Sequence, residues 1–194
     1  MSNEQNNKDW MLTQTRRQVW PLALKHADVN VMDIAMSLGK QCRYNGHVDK
    51  FYTVAEHSVQ ISKALERDGF DHMTQFVGLH HDDSECWMGD QIKPLKNALE
   101  QLGVSLKPFE LAIEKTVSER FGMPWPWPEI IHEYDRKIVR DEKEQLKAGG
   151  DDWIGFNIPE KGIGVYLPCW TWEQATKEFL ARHSELTERI WPSE

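Results

Sequence analysis

The sequence contains few cysteines, and their spacing excludes common cysteine-based sites. Cys42, Cys86 and Cys169 lie far apart, and no CxxC pair is present. A structural zinc site built on paired cysteines is therefore not expected. A sparse, odd cysteine count is typical of a reduced intracellular protein rather than of a disulfide-stabilised secreted one.

Long apolar runs are absent as well. None approaches the roughly 20 residues that a membrane-spanning helix needs. The N-terminal segment MSNEQNNKDW is polar and lacks the apolar centre of a signal peptide. We therefore expect a cytoplasmic, soluble protein that does not contact membranes.

Positive charge is scarce relative to negative charge. The chain has 23 Lys and Arg residues against 31 Asp and Glu residues, which gives a formal net charge of −8. This balance argues against nucleic acid as a partner, because binding to a phosphate backbone needs clustered Lys and Arg. A small phosphorylated substrate remains compatible, since it needs only a local basic pocket.

The chain has enough apolar material for one substantial core. It has 194 residues, of which 40% are hydrophobic and nine are tryptophan. We expect a flexible polar segment over residues 1–8 and a single domain over residues 9–194. The tryptophans and apolar helix faces are also compatible with a homo-oligomer.

The spacing of apolar residues predicts an all-α fold, a bundle of about six or seven helices. Val31, Ile34, Ala35 and Leu38, for example, recur at the spacing of one helix face, and Gly39 is expected to end that helix. Residues 10–24 are expected to be irregular or to form a short helix, and 164–167 a short strand. Helices are predicted around residues 31–38, 53–67, 75–88, 108–121, 129–148 and 171–190.

The stretch FVGLHHDDSECWMGD, residues 76–90, is the most informative part of the chain. Phe76, Leu79 and Trp87 indicate a buried helix, yet most of the residues from His80 to Cys86 ionise or bind metals. Burying such groups without partners costs several kcal/mol. A bound metal ion is the simplest way to satisfy a His-Asp pair in these surroundings.

Three predicted helices place His or carboxylate side chains on their inward faces. His57 shares a face with Val54 and Ile61, the pair His81-Asp82 follows, and Asp135 lies on a later helix. Together they form a mixed nitrogen and oxygen set, which suits Mn²⁺, Fe²⁺, Co²⁺, Ni²⁺ or Zn²⁺, whereas Mg²⁺ prefers oxygen ligands alone.

Simpler explanations exist for each of these residues taken singly. A lone inward histidine such as His57 is more often a hydrogen-bonded core residue than a ligand. Asp135 is also able to form a salt bridge with Arg136 or Lys137, although those neighbours face other directions. Arg43, Tyr44 and His47 could belong to a solvated loop around a turn at Asn45-Gly46.

Glu85 is a candidate for proton transfer. It lies one helical turn after His81 in the predicted helix, and so beside any water bound to the metal. A general acid or base needs that placement. His80 and Asp83 are expected on the flanks of the same helix.

Several motifs in this order resemble those of the HD-domain metal-dependent phosphohydrolases. The segment 52–58, YTVAEHS, is similar to the family's first-ligand motif. The segment 79–85, LHHDDSE, followed by Gly89-Asp90 and Pro94-Leu95-Lys96, is similar to its HD…E…GD…P-x-K segment. The segment 133–136, EYDR, is similar to the last-ligand motif. The likeness spans more than half of the chain and implies a helical HD-domain bundle.

The resemblance also implies roles for individual residues. The small 5′-deoxynucleotidases and the phage dATP triphosphohydrolases are the most similar members, and in them an Arg followed by an aromatic residue precedes the first ligand. Arg43-Tyr44 matches that pair, with Tyr where the nucleotidases have Trp, and Asp90 matches a residue that contacts the deoxyribose hydroxyl. The implied sets are metal ligands His57, His81, Asp82 and Asp135, catalytic Glu85, and substrate-binding Arg43, Tyr44, Asp90 and Lys96.

The expected activity is metal-dependent hydrolysis of phosphate or triphosphate from (deoxy)nucleotides. The expected cofactor is a divalent transition metal, with Mg²⁺ accompanying the substrate as an additional option. HD enzymes that cleave cyclic nucleotides or guanosine polyphosphates are alternatives, as are a non-catalytic nucleotide-binding or signalling domain and a structural protein with buried histidines. Proteins of the non-catalytic kind typically lose a ligand or the catalytic acid, and here all five positions are filled.

Overall fold

The computed structural model describes residues 8–146 and 158–192 of the chain. Within these ranges the protein is an all-α bundle, and seven of its helices have nine residues or more, so the predicted class and helix number are confirmed. No helix in the described ranges combines the length and apolar character of a membrane span. The helices are α1 Val31–Lys40, α2 Val54–Arg67, α3 His72–His80, α4 Glu85–Met88, α5 Lys93–Gln101, α6 Lys107–Phe121, α7 Glu129–Leu146 and α8 Trp172–Ile190.

Two expectations fall outside the described residues. The first is the flexible segment predicted over residues 1–8, of which only Lys8 is described. The second is the end of the helix predicted over 129–148, whose last two residues are not described.

Helix α2 occupies the centre of the bundle and packs against α1, α3 and α8. Five of its polar residues, from Glu56 to Ser62, are buried together with its apolar ones, which requires partners from the surrounding helices. Arg182 of α8 is one such partner: its guanidinium donates hydrogen bonds to the Ser62 hydroxyl at 3.0 Å and to the Gln75 side chain at 2.9 Å. The core thereby holds α2, α3 and α8 in a fixed relation.

The N-terminal part contains a small hairpin that the sequence pattern did not predict. Strands β1 Met11–Leu12 and β2 Gln18–Val19 pair antiparallel, so the expectation of an irregular segment or a helix over 10–24 is wrong for these residues. Asp33 of α1 holds the connecting turn, because its carboxylate accepts hydrogen bonds from the backbone N–H and the hydroxyl of Thr15 at 2.7 and 2.6 Å. Strands of two residues are too short to show an alternating pattern.

The helix predicted over residues 75–88 is broken in the middle. Helix α3 ends at His80, and α4 begins only at Glu85. His80 Nδ1 and Asp83 Oδ2 form a hydrogen bond of 2.7 Å across the break, and the Asp83 N–H donates to the His80 carbonyl. The tight turn places His81 and Asp82 directly after the end of α3 rather than along a continuous helix.

His80 and Asp83 do not lie on a helix flank, so that prediction is also wrong. Their exposed fractions are 0% and 1%. His80 Nε2 lies 2.9 Å from Nδ1 of His183 on α8, and Phe76 and Phe121 pack against the His80 ring. These two residues therefore belong to a buried polar network that joins the break to α8.

Two further local differences have clear causes. Helix α5 was not predicted, and it has no buried residue. The predicted strand over 164–167 is absent, because the Gln145 side chain of α7 pairs with this segment instead: it donates to the Val165 carbonyl at 2.8 Å and accepts from the Leu167 N–H at 2.9 Å. A side chain here replaces the neighbouring strand that a β-ladder needs.

Gly39 lies inside α1 rather than ending it, and the reason is close packing. A Cβ at this position would lie 2.2 Å from the Thr176 hydroxyl of α8 and 3.1 Å from the Trp172 carbonyl. The glycine lets α1 and α8 approach each other.

We expect Gly39→Ala to destabilise the protein by about 1–3 kcal/mol through overpacking, despite the better helix propensity of alanine. Urea unfolding measures the change. In a Thr176→Ala background the closest clash is removed, so the same substitution should cost less. An equal cost in both backgrounds would contradict the packing explanation.

Candidate metal centre

Three of the predicted ligands converge at one point between α2, α3 and α7. His57 Nε2 lies 3.3 Å from His81 Nε2 and 3.2 Å from Asp135 Oδ1, and His81 Nε2 lies 3.7 Å from the same oxygen. One ligand atom from each residue lies within 4.8 Å of the others, an arrangement that can hold a metal ion. We call these three residues the His-His-Asp cluster.

The second nitrogen of each imidazole is occupied by an acceptor. His57 Nδ1 lies 2.7 Å from Glu142 Oε1, and His81 Nδ1 lies 2.9 Å from the Gly78 carbonyl. Since both partners are acceptors, we assign the imidazole proton to Nδ1 in each ring. The two Nε2 lone pairs then face one another, and only a cation between them, a metal ion or an added proton, relieves their repulsion.

Asp82 lies beside the cluster. Its Oδ1 is 3.3 Å from His81 Nε2 and its Oδ2 is 3.5 Å from His57 Nε2. The side chains of Asp82 and Asp135 are 17% and 41% exposed, whereas the His57 side chain is fully buried. The cluster is therefore closed on the imidazole side and open on the carboxylate side.

The charges of the cluster favour a bound cation. Burial lowers the pKa of His81, but Asp82 and Asp135 outweigh it and raise this pKa to about 9. Burial and Arg43 lower the pKa of His57, yet Glu142 and Asp135 raise it overall. The two imidazoles hold the pKa of Asp135 well below its usual range, against the effect of burial.

The simpler explanation of Asp135 does not apply. Arg136 pairs with Glu129, and Lys137 pairs with Glu133, both along the same helix. Asp135 instead faces His57 and His81. Likewise His57 has a carboxylate on each of its ring nitrogens, which is more than a core histidine needs.

Glu85 is the first residue of α4, and its carboxyl interacts electrostatically with Asp82. Burial, followed by the charges of Asp82 and Asp90, raises its pKa well above the usual value. Its Oε2 atom is buried and has no hydrogen-bond partner among the described residues. A carboxyl in this position keeps its proton more readily than an exposed one, as a general acid requires.

Arg43 and Tyr44 lie in a tight loop, Arg43–Gly46, but both side chains are half-buried rather than solvated. Arg43 Nη1 is 3.4 Å from Asp82 Oδ2, and Arg43 Nε is 3.3 Å from Glu142 Oε1. The Tyr44 hydroxyl donates a hydrogen bond to Glu142. Arg43 thus reaches the open side of the cluster, whereas the Tyr44 hydroxyl is directed to a buried carboxylate.

The two remaining predicted substrate-binding residues interact electrostatically with Asp82. The Asp90 backbone N–H donates to Gln41 Oε1 at 2.8 Å, and burial raises the pKa of the Asp90 carboxyl. Lys96, on α5, pairs with Glu110 at 2.7 Å. Burial lowers the pKa of Lys96, but Glu110, Glu85 and Asp82 raise it overall, so this ammonium belongs to the electrostatics of the site.

Sequence reasoning missed two carboxylates of this region. Glu142 is fully buried, and although burial raises its pKa, Arg43 and His57 lower it to about 2. Its position seven residues after Asp135 puts it on the same helix face, a signal that was available. The second is Glu114 of α6, whose pKa burial, Glu110 and Asp82 raise to about 7.

Comparison with known proteins identifies two relatives and no activity. No protein-family model matches the chain. An uncharacterized protein of Escherichia coli strain K12, YfdR, is 34% identical over 163 residues, which cover 83% of this chain and 86% of YfdR. An uncharacterized protein of Rhodobacter capsulatus is 30% identical over 171 residues, which cover 82% of this chain and 86% of that protein.

Proposed function

The chain belongs to the same family as Escherichia coli YfdR, and we propose that it is a metal-dependent phosphohydrolase of the HD-domain type. The observation that supports this proposal most directly is the position of the two imidazoles. The Nε2 atoms of His57 and His81 lie 3.3 Å apart, and the Nδ1 atom of each ring already has a hydrogen-bond acceptor. A metal ion between the rings would relieve the repulsion of the two lone pairs, as an added proton would, and Asp135 lies within reach of both nitrogens to complete a metal site. The motif order H…HD…D, with a carboxyl at Glu85, favours hydrolysis over a purely structural metal.

The proposed ligands fit a divalent transition metal. His57 and His81 supply nitrogen, and Asp82 and Asp135 supply oxygen, a mixed set suited to Mn²⁺, Co²⁺, Zn²⁺, Fe²⁺ or Ni²⁺. The opposite nitrogen of each imidazole is hydrogen-bonded, which fixes the orientation of the ring. When bound, such an ion polarises a phosphate oxygen and lowers the pKa of a water molecule.

Glu85 supplies the proton in this proposal. Burial favours the protonated form of the Glu85 carboxyl, and its Oε2 has no hydrogen-bond partner in the described part of the chain, so it can donate that proton. A water molecule attacks phosphorus and forms the new bond, and the Glu85 proton passes to the leaving oxygen as the bond between phosphorus and that oxygen breaks. The ionised carboxylate then accepts a proton from the incoming water, which restores the starting state.

Arg43, Asp90, Lys96 and Tyr44 complete the proposed substrate site. Arg43 offsets phosphate charge at the open side, beside Asp82. Asp90 accepts a hydrogen bond from a sugar hydroxyl, and Lys96 adds positive charge from α5. Tyr44 keeps the loop in place. We propose a (deoxy)nucleotide as substrate, either a monophosphate that releases phosphate or a triphosphate that releases triphosphate.

Metal analysis and a substrate panel test this proposal. We expect the purified protein to bind a divalent transition metal and, with Mn²⁺, Co²⁺ or Mg²⁺ added, to hydrolyse at least one nucleotide among the ribo- and deoxynucleoside mono-, di- and triphosphates. Chromatography of the products separates phosphate from triphosphate release. A protein that binds no divalent metal would overturn the proposal, and nucleotide binding without hydrolysis would favour a non-catalytic domain.

A cyclic nucleotide and a guanosine polyphosphate belong in the same panel. Hydrolysis of either one, with the nucleoside mono-, di- and triphosphates unchanged, would redirect the assignment to a phosphodiesterase or a polyphosphate hydrolase on the same metal site.

A further inference from the structure

Glu142 contacts three functional side chains at once. This carboxylate of α7 is fully buried. Its Oε1 lies 2.7 Å from His57 Nδ1 and 3.3 Å from Arg43 Nε, and its Oε2 accepts a hydrogen bond from the Tyr44 hydroxyl. One side chain thus touches a proposed metal ligand and both members of the Arg-Tyr pair.

The backbone at Tyr44 has an unusual conformation, which the contact with Glu142 helps to hold. Tyr44 and Asn45 have φ values of 58° and 52°, in the left-handed region that non-glycine residues rarely adopt. The loop is fixed at its base, where Arg43 N–H donates to the Tyr52 carbonyl at 2.9 Å. Beyond that point the hydroxyl of Tyr44 ties the loop to α7.

Glu142 also acts on the proposed metal ligand His57 through its contact with Nδ1. A carboxylate at Nδ1 sets the ring orientation and makes Nε2 a better electron donor. The same carboxylate is also an ion-pair partner of Arg43, so the position of the guanidinium and the orientation of the imidazole depend on one group.

We infer that Glu142 is a positioning residue that couples the metal ligand His57 to the phosphate-binding pair Arg43 and Tyr44. This inference rests on the proposed function. It adds that metal binding and substrate binding both depend on the buried carboxylate of Glu142. Loss of that support weakens both, whereas loss of the Tyr44 hydroxyl weakens only substrate binding.

Two substitutions and a matched control separate these effects. Glu142→Gln removes the charge and keeps the shape, and Tyr44→Phe removes one hydrogen bond. The control is Glu144→Gln on the same helix, an exposed carboxylate whose side chain pairs with Arg140 at 2.6 Å. For each protein we would measure Mn²⁺ affinity without substrate, KM and kcat with the nucleotide that wild type hydrolyses, and Tm.

The expected pattern is specific. Glu142→Gln should weaken Mn²⁺ binding about 10- to 100-fold, as is typical when the hydrogen-bond partner of a metal ligand is lost, and should raise KM as well. Tyr44→Phe should raise KM about fivefold, the worth of one hydrogen bond, and leave Mn²⁺ affinity unchanged. Glu144→Gln should match wild type in all measurements.

Two results would overturn the inference: wild-type Mn²⁺ affinity in Glu142→Gln, or weaker Mn²⁺ binding with an unchanged KM. If Glu142→Gln does not fold, Glu142→Asp, which retracts the charge by one methylene group, carries the same comparison. Failure of the proposed function is recognised separately, because wild type itself would then neither bind Mn²⁺ nor hydrolyse a nucleotide.

Discussion

Glu85→Gln is expected to reduce kcat by a factor of about 10² to 10⁴, the usual contribution of a general acid or base, while the protein keeps its metal. Glutamine preserves the shape of the side chain but has no acidic proton to give to the leaving oxygen. Glu85 also lies outside the His-His-Asp cluster. The measurement pairs kcat with the metal content of the same protein sample.

An exposed carboxylate provides the control for this substitution. Glu119→Gln on α6 removes a carboxylate that pairs with His26 at the surface, and it should leave both kcat and metal content unchanged. Full activity of Glu85→Gln would show that the catalytic role assigned to Glu85 is wrong, even if the metal site is correct.

Asp135→Asn is expected to remove metal binding and activity together. The carboxylate oxygen of Asp135 lies 3.2 Å from His57 Nε2 and 3.7 Å from His81 Nε2, and an amide is a far weaker ligand. Several kcal/mol of transition-state stabilisation then disappear, which corresponds to a loss in kcat/KM of about 1,000-fold or more. Asp82→Ala should give the same joint loss.

Thermal unfolding provides an independent test that distinguishes Glu85→Gln from Asp135→Asn. A metal ion that binds only the folded protein stabilises it by about 2.7 kcal/mol at a concentration 100 times its Kd. Added Mn²⁺ should therefore raise the Tm of wild type and of Glu85→Gln, but not that of Asp135→Asn. An equal rise in Tm for Asp135→Asn would place the metal elsewhere.

Much of the fold was predictable because long helices have a repeated pattern. The spacing of Val31, Ile34, Ala35 and Leu38 located α1, and similar patterns located most of the others. The inward position of His57 followed from its place on the apolar face of α2, where it is fully buried. Convergence of the ligands then required only that these faces meet in one core.

The break between α3 and α4 was not predictable from periodicity. Apolar residues continue at helical spacing through it, and the cause is the hydrogen bond between His80 and Asp83 together with the contact to His183. The partner is 103 residues away in sequence, so no local pattern reveals it. Buried polar networks of this kind are specified by tertiary contacts.

Glu142 was missed for a related reason. A glutamate late in a charged helix is usually exposed, and charged residues are almost never fully buried unless they are paired. The partners that make its burial favourable, Arg43 and His57, lie on other elements. The spacing from Asp135 indicates the helix face on which Glu142 lies, but it does not explain why that side chain is buried.

His183 lies on the last helix and joins none of the groups assigned to substrate or metal, yet its ring supports His80, the residue directly before the ligand His81. In a mutational scan selected for activity, we expect substitutions at His183 to score like those in the catalytic motifs. Proteolysis that removed α8 from His183 onward should likewise abolish the proposed activity, although every motif residue would remain in the chain. We therefore expect C-terminal truncations in this family to be tolerated only when they leave His183 in place.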